Sequence, residues 1–242
     1  MAYRISVDTG GTFSDVVLTD DSGTLSVSKA PTTPDRIFRG ISAALEYAAE
    51  DRGLTLAGLL ADTSVFVYGT TRSTNAILTG RTARTAFLTT EGFPDTLVLR
   101  EGGKPNPYDF RQPYPQPYVP RRLTFEIRER MSSEGQVLRE LDEAHAREVI
   151  GSLADLGVEA VAVMLLWSVA NEAHERRIGE LIEEILPDVA YTLSVHANPS
   201  LREYRRASAA AIDASLNASA MSPRSTFATI ALATSRAERH RT

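Results

Sequence analysis

The stretch that most limits what this chain can fold into is AYRISVDTGGTFSDVVLTD, Ala2 to Asp20. Two apolar runs, Tyr3 to Val7 and Val16 to Leu18, flank the polar centre Asp8-Thr9-Gly10-Gly11-Thr12. That is the pattern of two strands joined by a tight turn. Adjacent glycines permit positive φ and remove the Cβ atoms that would hold a ligand away, so main-chain N–H groups can face a phosphate. Thr9, Thr12 and Ser14 add hydroxyl donors beside them. Asp8 ends an otherwise apolar strand and would bring a carboxylate to the same phosphates. A hydrated Mg²⁺ is its natural partner there, because magnesium takes oxygen ligands and keeps several waters. Asp15 sits where the second strand leaves the turn, and either faces the nucleotide or braces the turn by a hydrogen bond. The competing description is a plain β-hairpin with Asp and Thr beside its Gly-Gly turn. No helical pattern begins at these glycines and no Gly-Lys-Ser/Thr follows, so the loop is neither a Rossmann fingerprint nor a Walker loop.

Charge gives no support to a nucleic-acid partner: Lys+Arg 26 against Asp+Glu 31 leaves a formal charge of -5, so a bound polyanion must be held by local geometry. Cysteine is absent, which excludes disulfides, thiolate nucleophiles and Cys-ligated zinc. The N-terminus has neither a basic leader nor an apolar signal core, and the longest apolar run, Val158 to Val169, is too short to span a bilayer. A cytoplasmic location without membrane partners is the expectation. His145, His174, His196 and His240 share no ligand spacing and read as surface residues.

Along the chain, Thr24 to Ala30 reads as a third antiparallel strand. Thr33 and Pro34 cap a helix carrying Ile37, Ile41, Leu45 and Ala48, closed by Gly53. Ser64 to Tyr68 reads as a short buried strand, Gly69-Thr70-Thr71 as a loop, Arg72 to Leu78 as a helix and Arg84 to Thr90 as a further strand. That order predicts one ribonuclease H-like lobe. Arg100 to Arg122 interleaves prolines with Tyr108, Tyr114 and Tyr118 and reads as a wrap over the lobe. Leu123 to Met131 and Gln136 to Leu141 predict a hairpin. Asp142 caps a helix through Leu156, Ala160 to Leu166 and Ala190 to Val195 form parallel strands across a helix capped by Asn171, and Asn198 to Ala220 is helix-compatible. Glu172, Glu175 and Arg176, and the run Arg202 to Arg206, read as solvated helix faces. The predicted class is α/β: a ribonuclease H-like lobe over 1–99, an insertion and hairpin over 100–141, a smaller α/β subdomain over 142–217 and a poorly ordered tail over 218–242.

DTGGTFSD resembles the first phosphate loop of the actin, sugar kinase and Hsp70 type of ATPase. Together with YGTTRSTNAIL, RTARTAFLTTEGFPDTLVLREGGKPNPYDF, PYVPRRLTFEIRER and VEAVAVMLLWSVANEAHERR, it makes the chain similar to the hydantoinase A, 5-oxoprolinase and acetone or acetophenone carboxylase family over about residues 4 to 217. The resemblance implies an actin-like ATPase fold with ATP and Mg²⁺ as cofactors. It also implies phosphorylation of a carbonyl oxygen, either of a cyclic amide that is then hydrolysed or of a ketone that is then carboxylated. Asp8, Thr9, Gly10, Gly11, Thr12, Ser14, Asp15, Gly69, Thr70 and Thr71 are the implied nucleotide contacts, with Asp8 nearest the metal, and a hydantoinase B-type subunit is the implied partner. Many family members have His-Gly-Thr-Thr where this chain has Tyr68-Gly69-Thr70-Thr71. Members also run on for several hundred residues, so the second phosphate loop and the adenosine pocket are expected outside this chain. A truncated product, inactive by itself, is the expectation, and no residue is marked as catalytic.

Overall fold

The computed structural model describes residues 2–33, 37–102, 104, 106 and 108–221. It divides into two compact units between Arg81 and Thr82.

The first unit contains β1 (Tyr3–Thr9), β2 (Phe13–Asp20), β3 (Leu25–Pro31), α1 (Ile37–Glu50), α2 (Leu56–Ala61), β4 (Thr63–Thr70) and α3 (Arg72–Leu78). Its sheet has the order β3-β2-β1-β4, antiparallel through the first three strands, with β4 parallel to β1. Strict alternation in β1 buries Tyr3, Ile5, Val7 and Thr9 and exposes Arg4, Ser6 and Asp8, as the two-residue period of a strand requires. The buried side meets Ile41, Ala44, Leu45 and Ala48 of α1, whose spacing makes one apolar helical stripe. Thr33 is described, whereas Pro34, the other half of the predicted cap pair, and the Ile37 side chain lie outside the described residues. β4 is longer and more open than predicted, with Val65 46%, Phe66 48% and Val67 54% exposed. The reason is its place at the sheet edge beside β1.

The turn after β2 is held by Asp20, whose carboxylate accepts from the N–H groups of Ser22 (2.9 Å) and Thr24 (3.0 Å) and from Arg52 Nη1 (2.7 Å). The Ser22 hydroxyl and Arg52 hold its pKa at about 2. A carboxylate depressed in the folded state adds stability above its unfolded pKa and loses it as pH falls through the folded one. We therefore expect the stability advantage of the parent over Asp20→Asn to shrink between about pH 4 and pH 2, measured by denaturant titration across that range. An advantage independent of pH would show that the ionised form is not what holds the turn.

The second unit contains β5 (Thr85–Thr90), α4 (Thr96–Leu99), a 3₁₀ turn (Arg121–Leu123), β6 (Thr124–Ile127), β7 (Arg130–Met131), β8 (Val137–Arg139), α5 (Glu143–Ser152), β9 (Ala160–Met164), α6 (Ala173–Ile185), β10 (Ala190–Leu193), α7 (Ser194–Ala197) and α8 (Glu203–Met221). Its sheet is parallel throughout, in the order β10-β9-β5-β6. Every residue of β5 and β9 is buried, the signature of a parallel sheet covered on both faces.

The strand at Thr85–Thr90, predicted to belong to the first lobe, therefore sits in the second unit, because its partners are β6 and β9. The segment Leu123 to Met131 is not one strand of a hairpin: Thr124–Ile127 pairs with β5, and the chain breaks before Arg130–Met131 pairs with β8. α5 is capped by Asp142 as predicted, with Oδ1 accepting from His145 N–H at 3.0 Å, but ends at Ser152. Asn171 Oδ1 accepts from Ala173 N–H at 3.1 Å, and β10 gives way to α7 at Ser194. The parallel pairing of β9 with β10 is observed. At the end of the proline-rich segment Val119 is buried and Tyr118 hydrogen-bonds the Ser215 hydroxyl at 2.8 Å, while Tyr108 is 86% exposed. Pro105, Pro107 and residues 222–242 lie outside the described residues, whereas 218–221, predicted as tail, continue α8.

Three residues read as surface lie in the interior. His174 is buried, with Nδ1 2.8 Å from Glu129 Oε2. Glu175 is fully buried, and its carboxylate accepts from Leu165 N–H (2.8 Å), Ser168 Oγ (2.8 Å), Ser194 Oγ (2.7 Å) and Val195 N–H (3.2 Å). Arg206 is fully buried and donates to the carbonyls of Leu165 (2.9 Å) and Ser200 (3.1 Å). A charge run in sequence says nothing of which member turns inward; helical rotation and the position of the neighbouring strand decide that.

Candidate functional site

The β1–β2 connection is three residues long, Gly10 to Thr12. It is closed by Gly10 N–H donating to the Phe13 carbonyl at 2.9 Å. Neither glycine takes positive φ, which corrects the sequence expectation; positive φ at both central residues is a demand of two-residue type I′ turns. A Cβ at Gly10 would lie 3.4 Å from the Phe13 carbonyl oxygen, and one at Gly11 3.4 Å from Asn75 Nδ2. What the glycines supply is bare backbone. The N–H groups of Gly11 and Thr12 have no acceptor among the described residues, and both residues are exposed, so two backbone donors are left without a protein partner on an exposed turn.

Strand alternation sorts the other predicted residues. Thr9 and Ser14 fall on the buried face: Ser14 Oγ donates to Thr9 Oγ1 at 3.4 Å and lies 3.2 Å from Thr32 Oγ1, which donates to the Gly10 carbonyl at 3.1 Å. Thr32 N–H donates to the Thr12 carbonyl at 2.9 Å. Their hydroxyls thus brace the turn from beneath. Asp8 and Asp15 stand directly opposite each other in the β1–β2 register on the other face. Asp15 is paired with Lys29 at 2.9 Å, and Lys29 Nζ lies 4.8 Å from the Phe13 ring centroid. Like charges directly opposed across an antiparallel pair repel; Lys29 relieves Asp15, and no cation pairs with Asp8 among the described residues.

The parallel register of β4 brings Gly69 beside Asp8 and Thr70 beside Thr9. Thr70 Oγ1 donates to the Thr9 carbonyl at 3.1 Å and Thr71 N–H to the same oxygen at 3.4 Å, latching the loop after β4 to the end of β1. Asn75 Nδ2 donates to Thr71 Oγ1 at 3.4 Å and is also the group nearest a Cβ at Gly11. Asn75 was not singled out from sequence; the signal was its place one helical turn after Thr71. Tyr68 packs against the core of the first unit. Residues 61 positions apart, Asp8 and Gly69, thus share one polar, solvent-facing corner.

A Cβ at Gly69 would lie 3.9 Å from Asp8 Oδ1 and 3.8 Å from the Val7 carbonyl, so a side chain fits the fold but crowds the carboxylate. We expect Gly69→Val to change the melting temperature little, because β-branched residues suit strand ends, and to weaken Mg-ATP binding at least about tenfold. Thermal melting beside a nucleotide titration checks this; a collapsed melt with unchanged binding per folded molecule would make Gly69 structural.

A divalent ion fits the chemistry of this corner. Among the described residues no group of three or more His, Asp or Glu side chains could hold a metal, so a dedicated cage is not present. Magnesium does not need one, since it binds through one or two carboxylates together with waters and phosphate oxygens. Asp8 supplies one such carboxylate. Among the described residues no helix is long and apolar enough to cross a membrane.

Residues 4–186 match the model of the hydantoinase/oxoprolinase N-terminal region. The chain is 35% identical over 217 residues to the caprolactamase alpha subunit of Pseudomonas jessenii and 36% identical over 228 residues to the acetophenone carboxylase gamma subunit of Aromatoleum aromaticum, in each case across 89% of this chain and 31% of the relative. The crystal structure of the ATP-dependent caprolactamase matches with a TM-score of 0.76 over 88% of this chain and 31% of that one. A nucleotide-free acetone carboxylase structure, at 24% identity, matches with a TM-score of 0.80 over 90% and 33%, and shows the fold. The chain therefore spans about 31% of the length of these curated relatives. The mixed sheet and the α/β content are those of an actin-like ATPase-type lobe. With the likeness running from β1 through α6 in unbroken order and not confined to the turn, this chain belongs to the hydantoinase/oxoprolinase N-terminal region family.

Proposed function

We propose that the corner formed by Gly10–Thr12, Asp8 and Gly69–Thr71 holds the phosphates of ATP in an enzyme that activates a carbonyl oxygen. The observation that carries this reading is the convergence of two N–H donors without a protein acceptor, a carboxylate with no cation partner among the described residues and a side-chain-free position at Gly69 on one exposed corner. Gly11 and Thr12 N–H groups would bind phosphate oxygens, the Thr12 hydroxyl would add a donor, and Asp8 would hold Mg²⁺, which when bound neutralises phosphate charge. Thr9, Ser14 and Thr32 would keep the turn in place without touching the nucleotide. Asp15 would remain tied to Lys29, and Asn75 would sit beside Gly11 as a further polar contact.

The reaction we infer is hydrolysis of a cyclic amide. The carbonyl oxygen takes the γ-phosphoryl group as ADP leaves, water adds to the activated carbon, the C–N bond opens with its electron pair and a proton from that water going to nitrogen, and a second water hydrolyses the resulting acyl phosphate to carboxylate and phosphate. Ketone carboxylation remains a second reading because the caprolactamase and acetophenone carboxylase relatives are equally similar, at 35% and 36%; dependence of ATP hydrolysis on ketone and bicarbonate separates the two. Both relatives are named as subunits, and we infer a hydantoinase B-type subunit as partner. For the phosphate site the test is amide NMR of the 242-residue chain titrated with Mg-ATP. Saturable shifts at Gly10–Thr12 and Gly69–Thr71, with affinity near the millimolar range, are the expected result. Shifts scattered elsewhere, or none, would remove the reading.

A further inference from the structure

Beyond the carboxyl ends of β5 and β9, in the second unit, lies a cleft of about 560 Å³. Its volume falls within the roughly 300–1,000 Å³ of small-molecule sites. Its position is where parallel α/β sheets bind ligands, and none of its residues belongs to the phosphate turn. Phe93, Leu99, Leu166 and Trp167 give it an apolar wall, with Arg100 and Arg130 beside them.

Two observations set this cleft apart from ordinary surface. The first is its backbone: Arg100 (φ 57°) and Trp167 (φ 58°) are the non-glycine residues at positive φ among those described, and both line it. Such conformations are strained and persist where the surroundings over-determine them. Around Trp167 they do. Leu165 N–H is held by Glu175 and its carbonyl by Arg206, Leu166 N–H donates to Thr90 Oγ1 at 2.9 Å, and Ala170 N–H donates to the Trp167 carbonyl at 2.8 Å. Thr90 in turn donates to buried Glu129, the partner of His174. This framework of buried polar groups fixes the aromatic wall.

The second is charge. Two of the cleft's acids are engaged, Asp95 with Arg121 at 2.9 Å and Glu101 with Arg205 at 2.9 Å and Arg202 at 3.7 Å, while Glu203 makes no ion pair among the described residues. Arg100 Nη2 donates to the Gln116 carbonyl at 3.1 Å. Arg130 lies 5.1 Å from the Phe93 ring centroid and has no ion-pair partner among the described residues, while its Nη1 is enclosed by protein. A guanidinium that lines a cleft without an acid paired to it is matched by a carboxylate.

We propose that this cleft binds a small organic carboxylate, with the anionic group on Arg130 and the apolar body against Trp167, Leu99 and Leu166. A bare inorganic anion would gain nothing from that wall. Trp167 is the chain's single tryptophan, so its fluorescence reports occupancy directly. The 242-residue chain is titrated with benzoate, with the neutral isostere benzamide and with inorganic phosphate. Benzoate is expected to change the emission saturably and to bind at least about tenfold more tightly than either of the others. Arg130→Gln is expected to weaken benzoate at least about tenfold and to leave benzamide unchanged. Equal affinity for benzamide would make the site merely apolar, tighter binding of phosphate would make it a simple anion site, and no saturable change would mean no site; each overturns the proposal, as does benzoate binding unaltered in R130Q. If R130Q does not fold, as judged by circular dichroism, the three-ligand comparison on the unaltered chain decides.

Discussion

Replacing Asp8 by Asn is expected to lower magnesium-dependent ATP hydrolysis by about a hundredfold or more, the scale on which removal of one preorganised electrostatic group slows a reaction. The assay is a chimera in which this chain replaces the matching 31% of the caprolactamase alpha subunit. Asp8 is exposed, has no cation partner among the described residues and faces Asp15 across the strand pair. Nothing in the fold requires its charge. Removing that charge relieves repulsion, so the melting temperature should hold or rise while turnover falls. Opposite signs for stability and activity are what mark a side chain kept for its ligand. Turnover within about threefold of the parent would place the metal elsewhere, and a lowered melting temperature would make Asp8 structural.

Glu175→Ala is expected to have the largest effect on stability, about 3–5 kcal/mol, from breaking a buried polar cluster by removing its acceptor. Four donors converge on this carboxylate, from Leu165, Ser168, Ser194 and Val195, and alanine leaves them unmatched around a void. Such a loss is a large share of the roughly 5–15 kcal/mol that holds a typical domain. Glu175→Gln keeps one acceptor oxygen and should cost less. Burial pushes the Glu175 carboxyl above the usual range, against the pull of its donors. A carboxyl raised in the folded state is favoured there in its protonated form, so its contribution falls as pH rises through the unfolded value, about 4.3. The advantage of the parent over E175Q should therefore shrink with rising pH. Chemical denaturation of the parent and both variants at pH 4 to 7 checks size and sign; a loss below about 1 kcal/mol for E175A would show the donors satisfied by water.

The two experiments probe different links between sequence and function. Asp8 could be chosen from sequence because it is a carboxylate at the strand end that runs directly into the Gly-Gly turn. Glu175 could not, because Glu-Arg-Arg within a helix describes a solvated face as well as it describes one inward acid. Thr9 and Ser14 show the same limit at finer scale: their proximity to the turn was legible, whereas the face they occupy depends on strand parity through the turn, and that parity buries them.

What the sequence by itself determined is what depends on local pattern. Alternation in Tyr3–Thr9 fixed a half-buried strand, the Gly-Gly connection fixed a hairpin, Gly53 at φ 68° and Asp142 marked helix ends, and the order of motifs fixed the family. Tertiary structure alone decided what depends on distant partners. Thr85–Thr90 reads as a buried strand in any parallel sheet, and only its pairing with Phe125 and Val163, at Leu88, assigns it to the second unit. The Asp8–Gly69 corner and the Thr90–Glu129–His174 chain likewise join residues dozens of positions apart. Hydrophobic periodicity encodes which face is buried and hydrogen-bond capacity encodes where a strand can pair, but neither encodes with whom; that is set when whole apolar surfaces find one another, and polar residues carried on those surfaces meet as a consequence.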